Sequence, residues 1–395
     1  MKARKLAEWI HWVGAIDWDR RLFDALVPLP EGTTYNAYLV QGSDKTALID
    51  TVDPAFADTL FARLDSLGVE RIDYVVSNHA EQDHSGSLSR VLERFPEAKV
   101  VCTPRAKKML MDLMPIPDQA FQEVEDGATL ALGNATLQFV HFPWVHWPET
   151  MLTYVPEAKV LFPCDLFGSH LATSDLVCGD KERLLAAAKL YFAQIMMPFA
   201  KQIRKNLPKV NGLEIDLIAP SHGPVIDHPA AILAAYDQWV GEEVRNEVVV
   251  PFVSMHESTR IMVDHLIDAL SDRGVVVKRF DLVSADVGQL AVALVDAATI
   301  VFGTPTFLMT AHPNVTYAAL LANLLKPKAR LVGVIGSYGW GGKSADHIVA
   351  TLGNLKDVEI LEPVLARGVP NTEVLAALDR LAQTIADKHA SFGAT

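Results

Sequence analysis

The chain has 395 residues, of which 50% are hydrophobic and 21% are charged, and this length and composition predict a globular protein with two or more domains. Its formal net charge of -13, without any long block of Lys and Arg, argues against nucleic acid as a partner. The three cysteines form no CxxC pair, and neither a signal peptide nor a run of roughly 18 uncharged apolar residues is evident, so we expect a cytoplasmic protein without disulfides, cysteine-ligated clusters or membrane helices.

The first half of the chain mixes strand and helix patterns. Alternating apolar residues over 35–39 and the apolar run 46–49 predict two strands joined by a turn at 41–44, and residues 54–67 then predict an amphipathic helix. Further strands are predicted at 99–102, 137–140, 160–162 and 217–219, and further helices at 105–114 and 181–202. This mixture predicts an α/β sandwich that carries functional side chains on the loops after its strands.

The second half of the chain repeats one unit, an apolar strand followed by a helix. Strands are predicted at 248–253, 275–279, 299–302, 331–335 and 358–360. Strands that alternate with helices at this spacing are typical of a doubly wound parallel sheet of one domain. We therefore predict two domains, residues 1–246 and 247–395, divided after the polar stretch 239–246.

A cluster of potential metal ligands follows the apolar run 72–76. His79, Glu81, Asp83 and His84 supply two imidazoles and two carboxylates within six residues. A set that mixes His with carboxylates suits iron or manganese at least as well as zinc. The motif therefore predicts metal binding and favours redox chemistry.

Three later segments each end a predicted strand with one more ligand, namely His146, Asp165 and His222. A single His before a Gly, such as His222, is usually an ordinary loop residue, but seven such side chains after strands indicate a dinuclear site. One metal would take His79, Glu81 and His146, the other would take Asp83, His84 and His222, and Asp165 would bridge both. We interpret the remaining candidates as structural: His141, His170, His228, His256, His265 and the neighbouring thiol of Cys164.

Three segments of the second half are candidates for binding a phosphorylated ring compound. Hydroxyls and backbone N–H groups at a helix start can hold a phosphate, although Ser and Thr there are often plain caps. Aromatic side chains among glycines suit a flat ring, although they also occur at interfaces. The candidate residues are Ser254, Met255, His256, Glu257, Ser258 and Thr259; Thr304, Pro305, Thr306 and Phe307; and Ser337, Tyr338, Gly339, Trp340 and Gly341. Gly342-Lys343-Ser344 is no ATP-binding motif, because Ser337 stands where its first Gly is required.

The motif from His79 to His84, followed by His146, Asp165 and His222, resembles the metallo-β-lactamase-like domain of the flavodiiron proteins, or A-type flavoproteins. Zinc hydrolases of that superfamily usually have His where Glu81 stands. The segments 14–18 and 32–40 resemble the same family, and the three loops of the second half resemble the FMN-binding loops of flavodoxin in the form that this family carries. The resemblance spans almost the whole chain.

This resemblance implies an N-terminal αββα sandwich that binds two iron ions through the seven ligands and a flavodoxin-like domain that binds FMN. It implies reduction of dioxygen to water, nitric oxide to nitrous oxide, or both. It also implies a head-to-tail homodimer, or a dimer of dimers, and a separate electron donor, either a rubredoxin or a reduced deazaflavin. The segment Phe23-Asp24-Ala25 departs from the family pattern, in which a His-Gly-Tyr-like segment follows the Phe and a polar group lies near the irons.

Two other functions remain open at this stage. A zinc hydrolase of the metallo-β-lactamase superfamily would use the same ligands, but it would leave the FMN loops unexplained. A flavodoxin-like electron carrier would account for the second half only. Metal and flavin content would distinguish the three.

Overall fold

The computed structural model describes residues 1–394, and these form two compact units. The first comprises Met1–Phe192 and Phe199–Val240, and the second comprises Ala193–Pro198 and the chain from Gly241 onward. The second unit thus begins a few residues before the division at 246 that the sequence suggested. Among the described residues, no helix combines the length and the apolarity that crossing a bilayer requires.

The first unit is built from sixteen strands and seven helices. The strands are β1 Arg4–Ala7, β2 Ile10–Trp12, β3 Ala15–Asp17, β4 Leu22–Phe23, β5 Val27–Pro28, β6 Thr33–Tyr35, β7 Tyr38–Gln41, β8 Thr46–Ile49, β9 Tyr74–Val76, β10 Lys99–Cys102, β11 Phe121–Glu123, β12 Thr129–Ala131, β13 Thr136–His141, β14 Met151–Val155, β15 Val160–Phe162 and β16 Leu217–Ile218. The helices are α1 Ala57–Ser66, α2 Gln82–Ser85, α3 Leu88–Arg94, α4 Pro104–Leu113, α5 Lys181–Tyr191, α6 Ala200–Asn211 and α7 Pro229–Val240.

Two mixed sheets form the core of this unit. One has the order β1-β2-β7-β8-β9-β10-β11 and the other β12-β13-β14-β15-β16. Apolar side chains from both sheets, including Ile49 and Val76 of the first and Phe139 and Phe162 of the second, belong to one buried cluster. The cluster buries one face of each sheet, which confirms the predicted sandwich.

The second unit is a parallel sheet with helices. Its strands are β17 Arg245–Phe252, β18 Val276–Asp281, β19 Ala297–Phe307, β20 Thr310–Ala311, β21 Leu331–Tyr338, β22 Glu359–Ile360 and β23 Val364–Arg367. Its helices are α8 Ser258–Ser271, α9 Val287–Leu294, α10 Pro313–Leu325, α11 Ser344–Thr351 and α12 Thr372–Phe392. The strand order β18-β17-β19-β21-β22, with every neighbouring pair parallel, confirms the doubly wound sheet.

The single helix predicted over 181–202 was wrong. The chain forms α5, a π-helical turn at Phe192–Met196, a 3-10 turn at Met197–Phe199, and then α6. Pro198 explains part of the difference, because proline lacks the N–H that an α-helix needs and its ring crowds the preceding turn. A pattern of apolar residues alone does not register that interruption.

Two central strands of the parallel sheet run further than the sequence indicated. β19 continues to Phe307 and β21 to Tyr338, so Thr304 pairs with Gly336 and Pro305 with Ser337. At Gly336 the strands come so close that a Cβ atom would lie 2.0 Å from the carbonyl oxygen of Thr304. Only glycine allows this approach, and the extension was missed because the Gly and Pro residues there normally indicate loops.

Candidate functional site

The loop that carries the four-ligand motif follows β9 and is held by buried hydrogen bonds. The carboxylate of Asp50 accepts from the backbone N–H of Asn78 at 2.8 Å and from its side-chain amide at 3.0 Å. The hydroxyl of Ser85 donates to the carbonyl of Ala80 at 2.7 Å. These contacts orient the backbone on both sides of His79, so its ring is positioned before any ligand binds.

Asp165 and His222 arrive on neighbouring strands. β15 and β16 are parallel partners, and the two residues follow their carboxyl ends, which lie at one edge of the sheet. The N–H of Ser221 donates to the carbonyl of Cys164 at 2.8 Å, tying the two segments together. Ser221 and Cys164 are 57 positions apart in sequence. Their contact therefore brings two distant segments together beside the four-ligand motif.

One group of side chains contains His79, Glu81, His146 and Asp165. The Nε2 atoms of His79 and His146 each lie 3.1 Å from Oε2 of Glu81. They lie 3.5 Å and 3.3 Å from Oδ2 of Asp165. The four side chains thus direct two nitrogens and two oxygens at a common point.

A second group contains Asp83, His84 and His222. Nε2 of His84 lies 3.3 Å from Oδ1 of Asp83, and Nε2 of His222 lies 3.1 Å from Oδ2 of the same carboxylate. Oδ1 of Asp165 lies 3.1 Å from His84 and 3.4 Å from His222. Asp165 therefore presents Oδ2 to the first group and Oδ1 to the second.

Hydrogen bonds at Nδ1 determine which ring nitrogen of two histidines is free. Nδ1 of His79 lies 2.7 Å from Oε1 of Glu149, and Nδ1 of His222 lies 2.6 Å from the carbonyl of Thr34. A carboxylate and a carbonyl only accept, so each Nδ1 carries the proton and donates it. Nε2 of His79 and of His222 faces the cluster and is the nitrogen that remains available to bind a metal.

The cluster has a strong excess of negative charge. Burial alone would lower the pKa of His79, but hydrogen bonds with Glu149 and Glu81 and the charge of Asp165 outweigh it and raise that pKa to about 10. Against burial, contacts with Asp165 and Glu81 raise the pKa of His146 to about 10, and the negative charges of Asp83 and Asp165 raise the pKa of His84 to about 9. The carboxylates thus favour the protonated, positively charged form of these imidazoles. Bound metal cations would supply the same positive charge in place of those protons.

Unpaired atoms show that the residues fit metal ions. Both carboxylate oxygens of Asp83 and of Asp165 and both ring nitrogens of His84 are buried and make no hydrogen bond within residues 1–394. Within each ligand group these unpaired atoms lie near one another and point at a common position, and they do not form donor and acceptor pairs. Leaving so many polar atoms unpaired costs free energy unless cations fill the two positions. The donor set of imidazoles and carboxylates suits non-haem iron.

The first group of ligands is more exposed to solvent than the second. The side chains of Glu81 and His146 are 19% and 14% exposed, whereas those of Asp83 and His222 are 8% and 1% exposed. A small molecule from solvent therefore reaches the cluster most directly beside Glu81 and His146.

Two side chains around the cluster were not recognised as part of it in the sequence. Glu149 is buried and accepts from both His79 and the backbone N–H of Ala80, at 2.7 Å and 3.0 Å. His170, interpreted from sequence as structural, is also buried, with its ring centroid 4.9 Å from that of His222. Burial, followed by the charge of His222, holds the pKa of His170 well below its usual range. Glu149 closes the segment Trp147-Pro148-Glu149, a signal that the sequence did contain beside His146.

The other residues interpreted as structural have ordinary partners. Cys164 is buried near His84 and Asp165, but burial raises the pKa of its thiol well above its usual range, and its Sγ accepts from the Ser221 hydroxyl at 3.4 Å. Nε2 of His141 lies 3.1 Å from the carbonyl of Val124. His228 and His265 pair with Asp227 and Asp379, and His256 is exposed in the loop before α8.

The candidate ring-binding residues of the second unit gather at the carboxyl edge of its sheet. The hydroxyls of Thr259 and Ser337, both buried, lie 3.0 Å apart and so join the first loop to the third. The N-cap residue of α8, Glu257, is left-handed and makes no side-chain cap, while Ser254 accepts from the N–H of Arg260 at 3.2 Å. A 14-residue helix that begins in this way offers N–H groups to a phosphate.

Exposed apolar side chains border the same edge. Met255, Leu308, Met309 and Trp340 expose between 43% and 81% of their surface. Leu308 and Met309 form the tip of the hairpin between β19 and β20, and both have positive φ. Exposed apolar surface beside a helix start suits a flat aromatic ring that carries an anionic group.

Known proteins resemble this chain over its whole length. A family model described as the ODP family beta lactamase matches residues 33–223. A nitric oxide reductase from Moorella thermoacetica is 37% identical over 393 residues, which are 96% of this chain and 97% of the relative. The solved rubredoxin oxygen:oxidoreductase from the anaerobe Desulfovibrio gigas superposes with a TM-score of 0.95 at 30% identity and covers 100% of both chains. The flavodiiron protein from Giardia intestinalis superposes with a TM-score of 0.92 at 28% identity, covering 99% of this chain and 98% of that one.

These matches confirm the fold and the family that the motifs indicated. The rival interpretations, a zinc hydrolase and a simple electron carrier, each explained one half of the chain, whereas the relatives match both halves. The protein belongs to the flavodiiron family of oxidoreductases.

Proposed function

We propose that this protein reduces dioxygen to water, nitric oxide to nitrous oxide, or both, with electrons that pass from an external donor through FMN to a dinuclear iron centre. Family membership and the names of its relatives support the reaction class. The observation that carries the metal assignment is the orientation of Asp165, whose two oxygens face two separate groups of ligands. That is the arrangement of a bridging carboxylate.

The residues that would hold the metals divide as the distances suggest. His79, Glu81 and His146 would bind one iron, Asp83, His84 and His222 would bind the other, and Asp165 would bind both. Three ionised carboxylates and four neutral imidazoles would then surround two divalent cations. This leaves a small net positive charge in a buried site, where Glu149 adds a compensating negative charge behind His79.

The FMN site would use the loops at the carboxyl edge of the parallel sheet. Residues 254–259 at the start of α8 would hold the phosphate, and residues 304–307 and 337–341 would line the flavin ring. Bound FMN would store electrons singly or in pairs, and two bound irons would perform the bond chemistry at the substrate.

The side chains of the chain itself would orient the substrate and the metals. Glu149 and the Thr34 carbonyl fix the rings of His79 and His222, so that each Nε2 keeps its lone pair turned inward. Glu81 and His146 line the more open side, where a diatomic molecule would enter. The buried surroundings of Asp83 and His222 exclude bulk water from the other side.

The same proposal covers the partners. We place the protein in the cytoplasm as a head-to-tail homodimer, or a tetramer built from such dimers, with rubredoxin or a reduced deazaflavin as the donor. Light scattering would test the assembly, and a strictly monomeric active species would contradict it. Electron transfer from each reduced donor, followed by the visible absorbance of the flavin, would test the donors.

The first experiment measures metal and flavin per chain in protein purified without added metal. Elemental mass spectrometry should find about two irons, and the absorbance of acid-released flavin should find one FMN. Oxygen and nitric oxide electrodes would then show which gas is consumed when a reduced donor is supplied. Zinc without flavin would overturn the proposal.

A further inference from the structure

The ring of His170 is a buried polar group that the seven-ligand site does not use. Its side chain is 5% exposed, and its Nε2 is buried without a hydrogen-bond partner among residues 1–394. A buried ring nitrogen without a partner costs free energy that a phenyl ring of similar size would not. A partner that is itself a bound molecule would offset that cost.

The surroundings of His170 place it beside the second group of ligands. Its ring centroid lies 4.9 Å from that of His222, 4.8 Å from that of Tyr191 and 5.0 Å from that of Phe23. Its Nδ1 lies 2.9 Å from the hydroxyl of Thr33. Since Nδ1 is engaged by Thr33, Nε2 is the nitrogen that remains available.

The hydrogen bonds of Thr33 indicate which nitrogen of His170 carries the proton. The carbonyl of Thr34 already accepts from Nδ1 of His222 at 2.6 Å and lies 3.3 Å from the Thr33 hydroxyl. The Thr33 hydroxyl can donate either to that carbonyl or to Nδ1 of His170 at 2.9 Å, and we assign its proton to the shorter of the two contacts. With Nδ1 accepting, the neutral ring carries its proton on Nε2 and acts there as a donor.

We propose that Nε2–H of His170 donates a hydrogen bond to the small exogenous ligand that binds beside His222, and so orients an oxygen-bearing diatomic substrate there. This inference rests on the proposed metal centre, because the ligand is held by the second metal. A single donor directed at one side of the site would distinguish the two ends of an asymmetric diatomic molecule. His170 would thus contact the substrate without being a metal ligand.

Azide binding to the cobalt(II)-reconstituted protein tests the donor without measuring turnover. Azide accepts hydrogen bonds, and the visible bands of cobalt(II) report both metal binding and azide binding. His170→Phe should bind two equivalents of cobalt as the wild type does, but it should weaken azide by about fivefold or more, as loss of one net hydrogen bond predicts. His170→Gln, which keeps an N–H donor, should restore most of that affinity.

The control is His228→Gln, since that His is exposed and pairs with Asp227 away from the ligand groups. It should leave azide affinity unchanged. If His170→Phe does not fold, His170→Met carries the same expectation with a more adaptable side chain. Azide affinity equal to wild type in the Phe or Met variant, or equal weakening in the Phe and Gln variants, would overturn the role of the donor while leaving the metal centre intact. Failure of the wild type to bind cobalt would instead overturn the metal centre and this inference with it.

Discussion

The buried carboxylate of Glu149 offers a sharp test of how the first metal position is built. Its Oε1 accepts from Nδ1 of His79 at 2.7 Å and from the N–H of Ala80 at 3.0 Å, and the residue is 2% exposed. Burial opposes its ionisation, but the His79 hydrogen bond and the N–H of Ala80 still lower the pKa of Glu149. The charged carboxylate therefore makes the His79 ring a better donor of its Nε2 lone pair.

Glu149→Gln would keep the shape and could keep both hydrogen bonds, because a single oxygen accepts both of them. What it removes is the charge. A hydrogen bond to a charged group contributes about 1.5–3 kcal/mol and a neutral one about 0.5–1.5 kcal/mol, so the variant should lose about 1–2 kcal/mol of metal-binding free energy at the first position. That corresponds to roughly a tenfold lower affinity for the first metal. Glu149→Ala removes the contact altogether and should cost nearer a hundredfold.

Competition between the metal-free protein and a chelator of known affinity, performed anaerobically with iron(II), would resolve the two binding steps. We expect the step assigned to His79, Glu81 and His146 to weaken and the step assigned to Asp83, His84 and His222 to change little. Glu157→Gln is the matched control, since Glu157 accepts from the backbone N–H of Thr136 in an exposed region. Unchanged affinities in both Glu149 variants would refute the inferred role of this carboxylate.

Three further predictions concern the bridge, the parallel sheet and the hairpin tip. Asp165→Asn should abolish oxygen reduction, measured with an electrode, while acid-released flavin stays at the wild-type level; full activity would refute the bridge. His389 is buried, and burial lowers its pKa to about 4. The contribution of the neutral His389 ring to the free energy of unfolding should therefore be complete above pH 6.5 and be lost as the pH falls toward 4, a loss of up to about 3 kcal/mol. Denaturant unfolding of wild type and of His389→Gln should therefore converge at low pH, and parallel pH profiles would contradict this. Leu308→Asn combined with Met309→Gly should raise the melting temperature by a few degrees, because two non-glycine residues with positive φ each cost about 1 kcal/mol; calorimetry showing no gain would refute the strain.

Local patterns in the sequence were sufficient for the fold class and for the identity of the candidate ligands. Apolar runs with a period of two, separated by helical patterns, predict strands and helices because each pattern describes which face of an element is buried. The ligands stand in loops after such strands or, for Asp83 and His84, in the short helix α2, and the structure brings all seven into two adjoining groups. The sequence predicted this grouping because seven potential metal ligands placed after strands indicate a shared metal site.

Interruptions within an element were harder to predict. The break between α5 and α6 depends on Pro198 and on a π-helical turn, and the extra length of β19 and β21 depends on how closely Gly336 can approach Thr304. For the two strands the deciding factor is how closely two distant backbone segments approach, which composition within a short window does not contain.

The sequence alone thus determined the fold class, the family and the residue types available for chemistry. Tertiary structure decided the pairings: Glu149 behind His79 is 70 residues away, and the Thr34 carbonyl behind His222 is 188 residues away. It also decided that Asp165 turns one oxygen to each group and that Nε2 of His170 has no partner within the described chain. Such contacts join distant parts of the chain through packing of the two sheets, and packing, unlike periodicity, is a property of the assembled core.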